Sequence, residues 1–267
     1  MATVITSAAS RGAAATGVRA RNRFFLAMAG TLLLLVLLGF APSLYLRAFF
    51  PVPPIPAYLH LHGAVVTSWF VWLCLQASLI EVGRPATHRR LGVIGAVLGV
   101  AVIGAALLAT LNVVSRITSL GIDLDADASS LGIGVSGVPV VEFVIPVVWG
   151  NLTSLVIFAA LLASAIALRG KPQAHKRLVL LASIAIIGPA LARISRWPIF
   201  GGEQGPFVPV VLLLLLLAVV AHDLITTRRV HRATLIGIGF AIVVLVAQRV
   251  FLGTHPELAQ GFIRWLA

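Results

Sequence analysis

Charge is scarce in this chain. Only 10% of its 267 residues are Asp, Glu, Lys or Arg, and its mean hydropathy is +1.06, whereas soluble globular domains carry about 25% charged residues. That deficit excludes an ordinary soluble domain and points to a chain with most of its surface in lipid. Cysteine is nearly absent: Cys74 stands alone inside an apolar run, which rules out an internal disulfide and a C-x-x-C centre and leaves a small packing residue. Acidic residues number eight against 20 basic ones, and no paired carboxylates fall within an apolar run. Nor is there an H-E-x-x-H, a Walker A loop or a nucleophile elbow, so hydrolytic and phosphoryl-transfer chemistry lack their residues.

What the chain does have is long apolar segments. Seven runs, at about 24–41, 57–80, 91–112, 145–168, 177–197, 208–225 and 233–252, each approach the roughly 20 residues that cross the hydrocarbon of a bilayer. Prolines at 51, 53, 54 and 56 break the chain before the second run, and Pro206 and Pro209 open the sixth, as proline does where a helix begins. Residues 1–23 are rich in Ala, Ser, Thr and Gly with Arg11, Arg19, Arg21 and Arg23 and no acid, and read as a disordered basic tail. The first run has no small-x-small cleavage pattern and no consecutive twin arginine before it. It is therefore expected to stay as a spanning helix.

A connector occurs twice between these runs. Arg84-Pro85-Ala86-Thr87-His88-Arg89-Arg90-Leu91 and Lys171-Pro172-Gln173-Ala174-His175-Lys176-Arg177-Leu178 lie 87 residues apart, each after a glycine, and Arg228-Arg229-Val230-His231-Arg232 is a weaker third version. They divide the 24–252 region into hairpin repeats at 57–112, 145–197 and 208–252. With seven spans, the tail and the three connectors share one face and hold 14 basic residues against Glu81 and Asp223, while the other face balances six against six. This asymmetry predicts an all-α, polytopic membrane protein with its N-terminus inside and its C-terminus outside. The basic residues lie in short segments flanking helices without interleaved aromatics, so they argue for membrane lipids and against nucleic acid as the partner.

The longest loop, about 113–144, carries Asp123, Asp125 and Asp127 at alternate positions. An EF-hand needs Gly at its sixth position and Glu at its twelfth, where this chain has Ala128 and Gly134, so a solvated loop is expected. Residues 253–267 place Leu258, Phe262, Trp265 and Leu266 beside Glu257 and Arg264, the composition of a short helix lying on the outer interface.

Function is sought in polar residues that the repeat does not share. On a helix, His62, Trp69 and Gln76 fall at seven-residue spacing on one face, and polar groups in a span point inward because lipid cannot satisfy them. His62, with His60 as alternate, is a candidate metal, haem or quinone ligand; the competing reading is an interfacial histidine and a tryptophan belt. His60 and His62 lie roughly 200° apart on a regular helix, so only an unwound start brings both to one ligand. Arg193 and Arg196, one turn apart after Pro189, suit an anionic group, or snorkel to headgroups. The sequence places Asn112, Arg116, Glu142 and Asn151 at similar depth, which suggests an outer cavity lined by His62, Asn112, Glu142, Asn151 and Arg193. The inner set, His88, His175, His222 and His231 with Asp223, reads as topology and lipid anchoring together with Arg89, Arg90, Lys176 and Arg177; its rival is a haem or metal held by two histidines of different helices.

The run His60-x-His62-Gly63, Trp69, Gln76, Gly83, His88-Arg89-Arg90-Leu91-Gly92, then His175-Lys176-Arg177-Leu178 with Pro189 and Arg193, resembles a broad group of uncharacterised bacterial multi-pass membrane proteins. More distantly it is similar to small helical proteins of haem-copper oxidase assembly. The resemblance covers about residues 57–195 and implies a bacterial inner-membrane location and haem or copper as cofactor. The expectation is a haem- or metal-binding redox or oxidase-assembly protein with an outer-leaflet polar site, possible partners including a respiratory complex. The alternatives are a small-solute or lipid transporter and a non-catalytic subunit of a membrane complex.

Overall fold

Proline sets most of the helix starts. In a computed structural model of the chain, which describes residues 23–52, 54–132, 135–200 and 206–267, Pro85, Pro172, Pro189 and Pro256 each occupy the first turn of a helix. There the missing N–H has no partner to lose. The helices are α1 (Arg23–Tyr45), α2 (Ala57–Glu81), α3 (Pro85–Leu111), α4 (Val113–Ser119), α5 (Val140–Ala167), α6 (Pro172–Ala185), α7 (Gly188–Ile194), α8 (Phe207–Thr227), α9 (Arg232–Thr254) and α10 (Pro256–Trp265). The described chain is all-helical; its one extended pairing is an isolated bridge between Asp127 and Pro139. The tail expected over residues 1–23 lies outside the described residues except for Arg23.

Among the described residues six helices are long and apolar enough to cross a membrane, and α6 with α7 makes a seventh if the bent pair counts as one span. The expected span 177–197 is thus broken, with a 47° bend. Pro189 is the cause: it has no N–H to give the Ala185 carbonyl and its ring crowds that position, and α6 ends at Ala185. α5 begins at Val140, earlier than the expected 145, and accommodates Pro146 in its second turn.

The connectors do close hairpins. α2 packs along α3 and α5 along α6, the two hairpins meet through α3 and α5, and α9 lies against α5 and α6 while α8 covers α7. Every connector therefore falls at one end of the bundle, here called the connector end. Arg23 of α1 is ion-paired there with Glu81 of α2 at 3.1 Å. Tyr45 and His62 lie at the opposite, far end. The main core runs through Leu32, Phe70, Phe158, Ile187 and Leu191, all wholly buried, with the Trp69 ring edge-on to Phe158 at 5.2 Å.

Small residues set the close approaches. A Cβ on Gly39 would sit 2.5 Å from the Ala190 carbonyl oxygen, so α1 crosses the α6–α7 bend only because this position is glycine. In α3, Gly95 faces the Trp72 indole and Gly99 faces Trp69 and Leu162, which is the approach that the G-x-x-x-G spacing predicts.

The long loop is more built than its composition suggests. Asp127 accepts from the Ser129 N–H at 2.8 Å and the Gly137 N–H at 2.7 Å, and Asp125 forms a fork with Arg264 of α10. Bonds from Ser129 and then Gly137 hold the Asp127 carboxyl below its ordinary pKa, and the Arg264 guanidinium does the same to Asp125. The aspartates thus hold loop backbone and a guanidinium. α10 itself, helical as expected, buries Ala259 and Ile263 against a second apolar cluster around Val114, Val140, Val144 and Val148.

Candidate functional site

At the far end a small open cleft of about 20 Å³ lies between α1 and α2, walled by Phe40, Leu44, Tyr45, His62, Gly63 and Thr67. Its shape comes from the end of α1, where Pro42 falls in a final turn, Ala41–Tyr45, that widens to π geometry. Thr67 Oγ1 donates to the Gly63 carbonyl at 2.6 Å and lies 2.5 Å from the Tyr45 hydroxyl. Because the threonine proton is already given away, Tyr45 is the donor in the second bond.

His62 sits in the wall about one and a half turns from the start of α2. Its ring lies by the backbone of Ala105 on α3, and its Nδ1 is buried with no partner. Arg193 of α7 is close enough for its charge to act on this ring. The Arg193 guanidinium donates to the Pro189 carbonyl at 3.0 Å and lies 4.3 Å from the centre of the Phe40 ring. Among the described residues it has no carboxylate partner. The site therefore pairs a buried imidazole nitrogen without a partner with a cation that has no carboxylate partner among the described residues.

The wider cavity suggested by the sequence does not assemble. Asn112 turns back to its own Leu108 carbonyl, Arg116 reaches the Pro54 carbonyl, and Glu142 is exposed. Asn151 is half-buried on α5, whose principal neighbours are α3, α6, α9 and α10. Arg196 lies one turn past Arg193, half-buried and close enough for its charge to act on that residue. The start of α2 is not unwound: the helix is continuous from Ala57, so His60 is exposed while His62 turns inward. The two histidines do not meet, and among the described residues no three His, Cys, Asp or Glu side chains gather as a metal site.

The polar stripe of α2 continues below the cleft. Trp69 Nε1 donates to Ser183 Oγ of α6 at 3.1 Å. Trp72 Nε1 and both side-chain polar atoms of Gln76 are buried without partners. Phe40, Tyr45, Thr67 and Trp72 were not marked as site residues by sequence reasoning; the signal available for Thr67 and Trp72 was their place on the same helix as His62, within a few residues of its polar face.

The connector end is built differently. Arg177, 1% exposed, donates through Nε at 2.8 Å and Nη2 at 2.5 Å to Asp223 Oδ1. Its Nη1 donates to the Gln173 carbonyl and side-chain oxygen. Asp223 Oδ2 accepts from the His231 N–H at 3.0 Å and Thr234 Oγ1 at 2.7 Å. α6, α8 and α9 are locked together by this network. The lipid-facing reading fails for Arg177, which is inside the bundle; Arg89 and Arg90 are exposed and Lys176 places its Nζ 4.3 Å from the centre of the Phe25 ring. His222 stacks on Phe24 with ring centres 4.0 Å apart. His231 caps α9 by accepting from the Ala233 N–H at 3.1 Å. Burial first, and then the Arg177 charge, lower its pKa and favour the neutral ring that such a cap requires.

His88 and His175, the matching residues of the two connectors, meet each other. Their ring centres are 6.2 Å apart and their planes near perpendicular. Each Nδ1 faces a carbonyl of the preceding helix, His88 that of Gln76 at 3.3 Å and His175 that of Ala165 at 2.8 Å.

Comparisons with protein-family models, with curated proteins and with solved structures found no match.

Proposed function

We propose that the chain is a seven-span protein of the bacterial inner membrane, connector end in the cytoplasm, and that the mouth of its far-end cleft holds one end of a haem for a membrane oxidase or its assembly. The concentration of basic residues at the connector end supports the orientation. The carrying observation is the buried, unpartnered Nδ1 of His62 beside Arg193. A buried polar atom without a partner costs about 1–3 kcal/mol, and a bound group that accepts it as ligand removes that cost.

The fit favours one candidate over the other. A bare copper ion would find one strong ligand in the cleft wall, where His62 is the one His, Cys, Asp or Glu among the lining residues. Haem would bring carboxylates of its own, which suit the Arg193 guanidinium, and His62 would be the residue to hold its iron. The cleft encloses only about 20 Å³, far below the ~300–1,000 Å³ of a site that encloses a whole ligand. A haem would therefore be held at its mouth and not within it. When bound, haem supplies one-electron transfer; His62 orients it and Arg193 balances its charge. The experiment is an absorption spectrum and metal analysis of the purified chain: a Soret band that His62→Ala abolishes supports the reading. A colourless, metal-free preparation that takes up no added haem overturns it.

A second reading, transport of a small solute, draws on the partnerless polar atoms of Trp72 and Gln76 below the cleft. Uptake into vesicles lost in Gln76→Leu would favour it.

A further inference from the structure

The two connectors place equivalent histidines in contact, and two copies of a repeat touch at the same residue only where that residue lies near the axis relating them. In both rings the Nδ1 partner is a carbonyl oxygen, which only accepts, so Nδ1 carries the proton. The neutral rings then each hold their lone pair on Nε2. This is how metal-binding histidines are commonly arranged: one nitrogen donates to a backbone carbonyl, which fixes the tautomer and ring plane and leaves the other for the ion. Neither Nε2 has a hydrogen-bond partner among the described residues. Two imidazoles that share an ion about 2.0–2.1 Å from each nitrogen have ring centres roughly 5–6.5 Å apart, depending on the angle at the ion. The separation of 6.2 Å lies at the wide end of that range and corresponds to an N–metal–N angle of about 150°, wider than tetrahedral.

We propose that His88 and His175 form a two-histidine site, with its nitrogens on opposite sides, for a single transition-metal ion of the copper class, open to an exchangeable co-ligand. Imidazole suits such a metal. Two features define the ion's remaining coordination. No third His, Cys, Asp or Glu joins the pair among the described residues, so at least one position is left to a small molecule. Arg84, Arg89 and Arg90 lie within one connector and Lys171 and Lys176 within the other, so the local potential is positive and the co-ligand is an anion. This site is separate from the far-end cleft: it sits at the other end of α2 and uses none of the cleft residues.

The test is titration of the purified full-length chain in detergent with Cu²⁺ against a competing chelator, read by affinity and by the nitrogen hyperfine pattern in electron paramagnetic resonance. The expected result is one saturable ion per chain with two equivalent nitrogens. His88→Gln and His175→Gln should each weaken binding at least about tenfold, with His62→Gln and His231→Gln unchanged. His175→Cys should keep the ion and add a thiolate-to-metal charge-transfer band, which separates ligation from a merely structural role and remains informative if a Gln variant folds poorly. Unsaturable binding, binding unchanged within twofold in both Gln variants, or no charge-transfer band in His175→Cys each overturns the proposal. Loss of haem from His62→Ala, by contrast, bears only on the cleft.

Discussion

The two ends of the bundle treat buried polarity in opposite ways. At the connector end, Arg177 and Asp223 satisfy each other and draw in Gln173, His231 and Thr234 until every carboxylate oxygen has a donor. At the far end, His62 Nδ1 is buried with no partner, and among the described residues Arg193 has an aromatic face and a carbonyl but no anion. A closed network holds helices together, and removing one member strands another in a dry interior. An open set costs stability as it stands and gains only when something binds. On the proposed reading the closed end is scaffold and the open end is the site.

Breaking the closed end should have the largest effect. Asp223→Ala leaves Arg177 charged and buried, a change worth about 3–5 kcal/mol for a broken buried pair; its melting temperature in detergent and its abundance in the membrane should both fall sharply. The double change Arg177→Met with Asp223→Leu should recover much of that loss, since an apolar pair of similar volume often replaces a buried ion pair at little cost. Next comes packing: Gly39→Ala drives a methyl into the Ala190 carbonyl, and overpacking of about 1–3 kcal/mol should lower the melting temperature by less than the Asp223 change. Gln76→Leu should go the other way, a small gain in stability, because it removes two buried polar atoms that have no partner.

The smallest effect expected is one of pH. Asp127 and Asp125 have lowered pKa values in the folded loop, so the stability they contribute is present above the ordinary carboxylate range and is lost as pH falls below it. Hydrogen exchange at Ser129 and Gly137 should speed up below about pH 4, the range in which free carboxylates take up protons, while exchange in α5 stays slow.

Much of the scaffold could be read from the residues. The second expected span, 57–80, is α2 to within a residue, and Pro189 announced the bend in the fifth. The hairpins followed from the repeated connector. What could not be read was which basic residue of a connector turns inward. Arg90 and Arg177 occupy the same place in the two copies, yet Arg90 is exposed and Arg177 is buried. The difference is Asp223, a residue from a third hairpin whose position depends on how α8 docks. An acid inside an apolar run signals a needed partner, but the sequence does not say which one.

The site divides in the same manner. His62, Trp69 and Gln76 do share the inward side of α2, as seven-residue spacing requires, and Arg193 does approach His62. Glu142, Asn151 and Asn112 were grouped with them by depth alone, and depth is not contact: α5 faces other helices and Asn112 bonds its own. The meeting of His88 with His175 was hidden for the converse reason, since nothing in one connector specifies that the other lies against it.

One measurement tests the division most directly: thermal unfolding of His62→Leu beside Arg177→Met, each scored with and without added haem. The account predicts that without haem His62→Leu melts at or above the parent temperature and has lost the upward shift that haem gives the parent. Arg177→Met should melt well below the parent yet keep that shift. If His62→Leu is destabilised as much as Arg177→Met and the parent gains nothing from haem, the far end is scaffold too and the division is wrong.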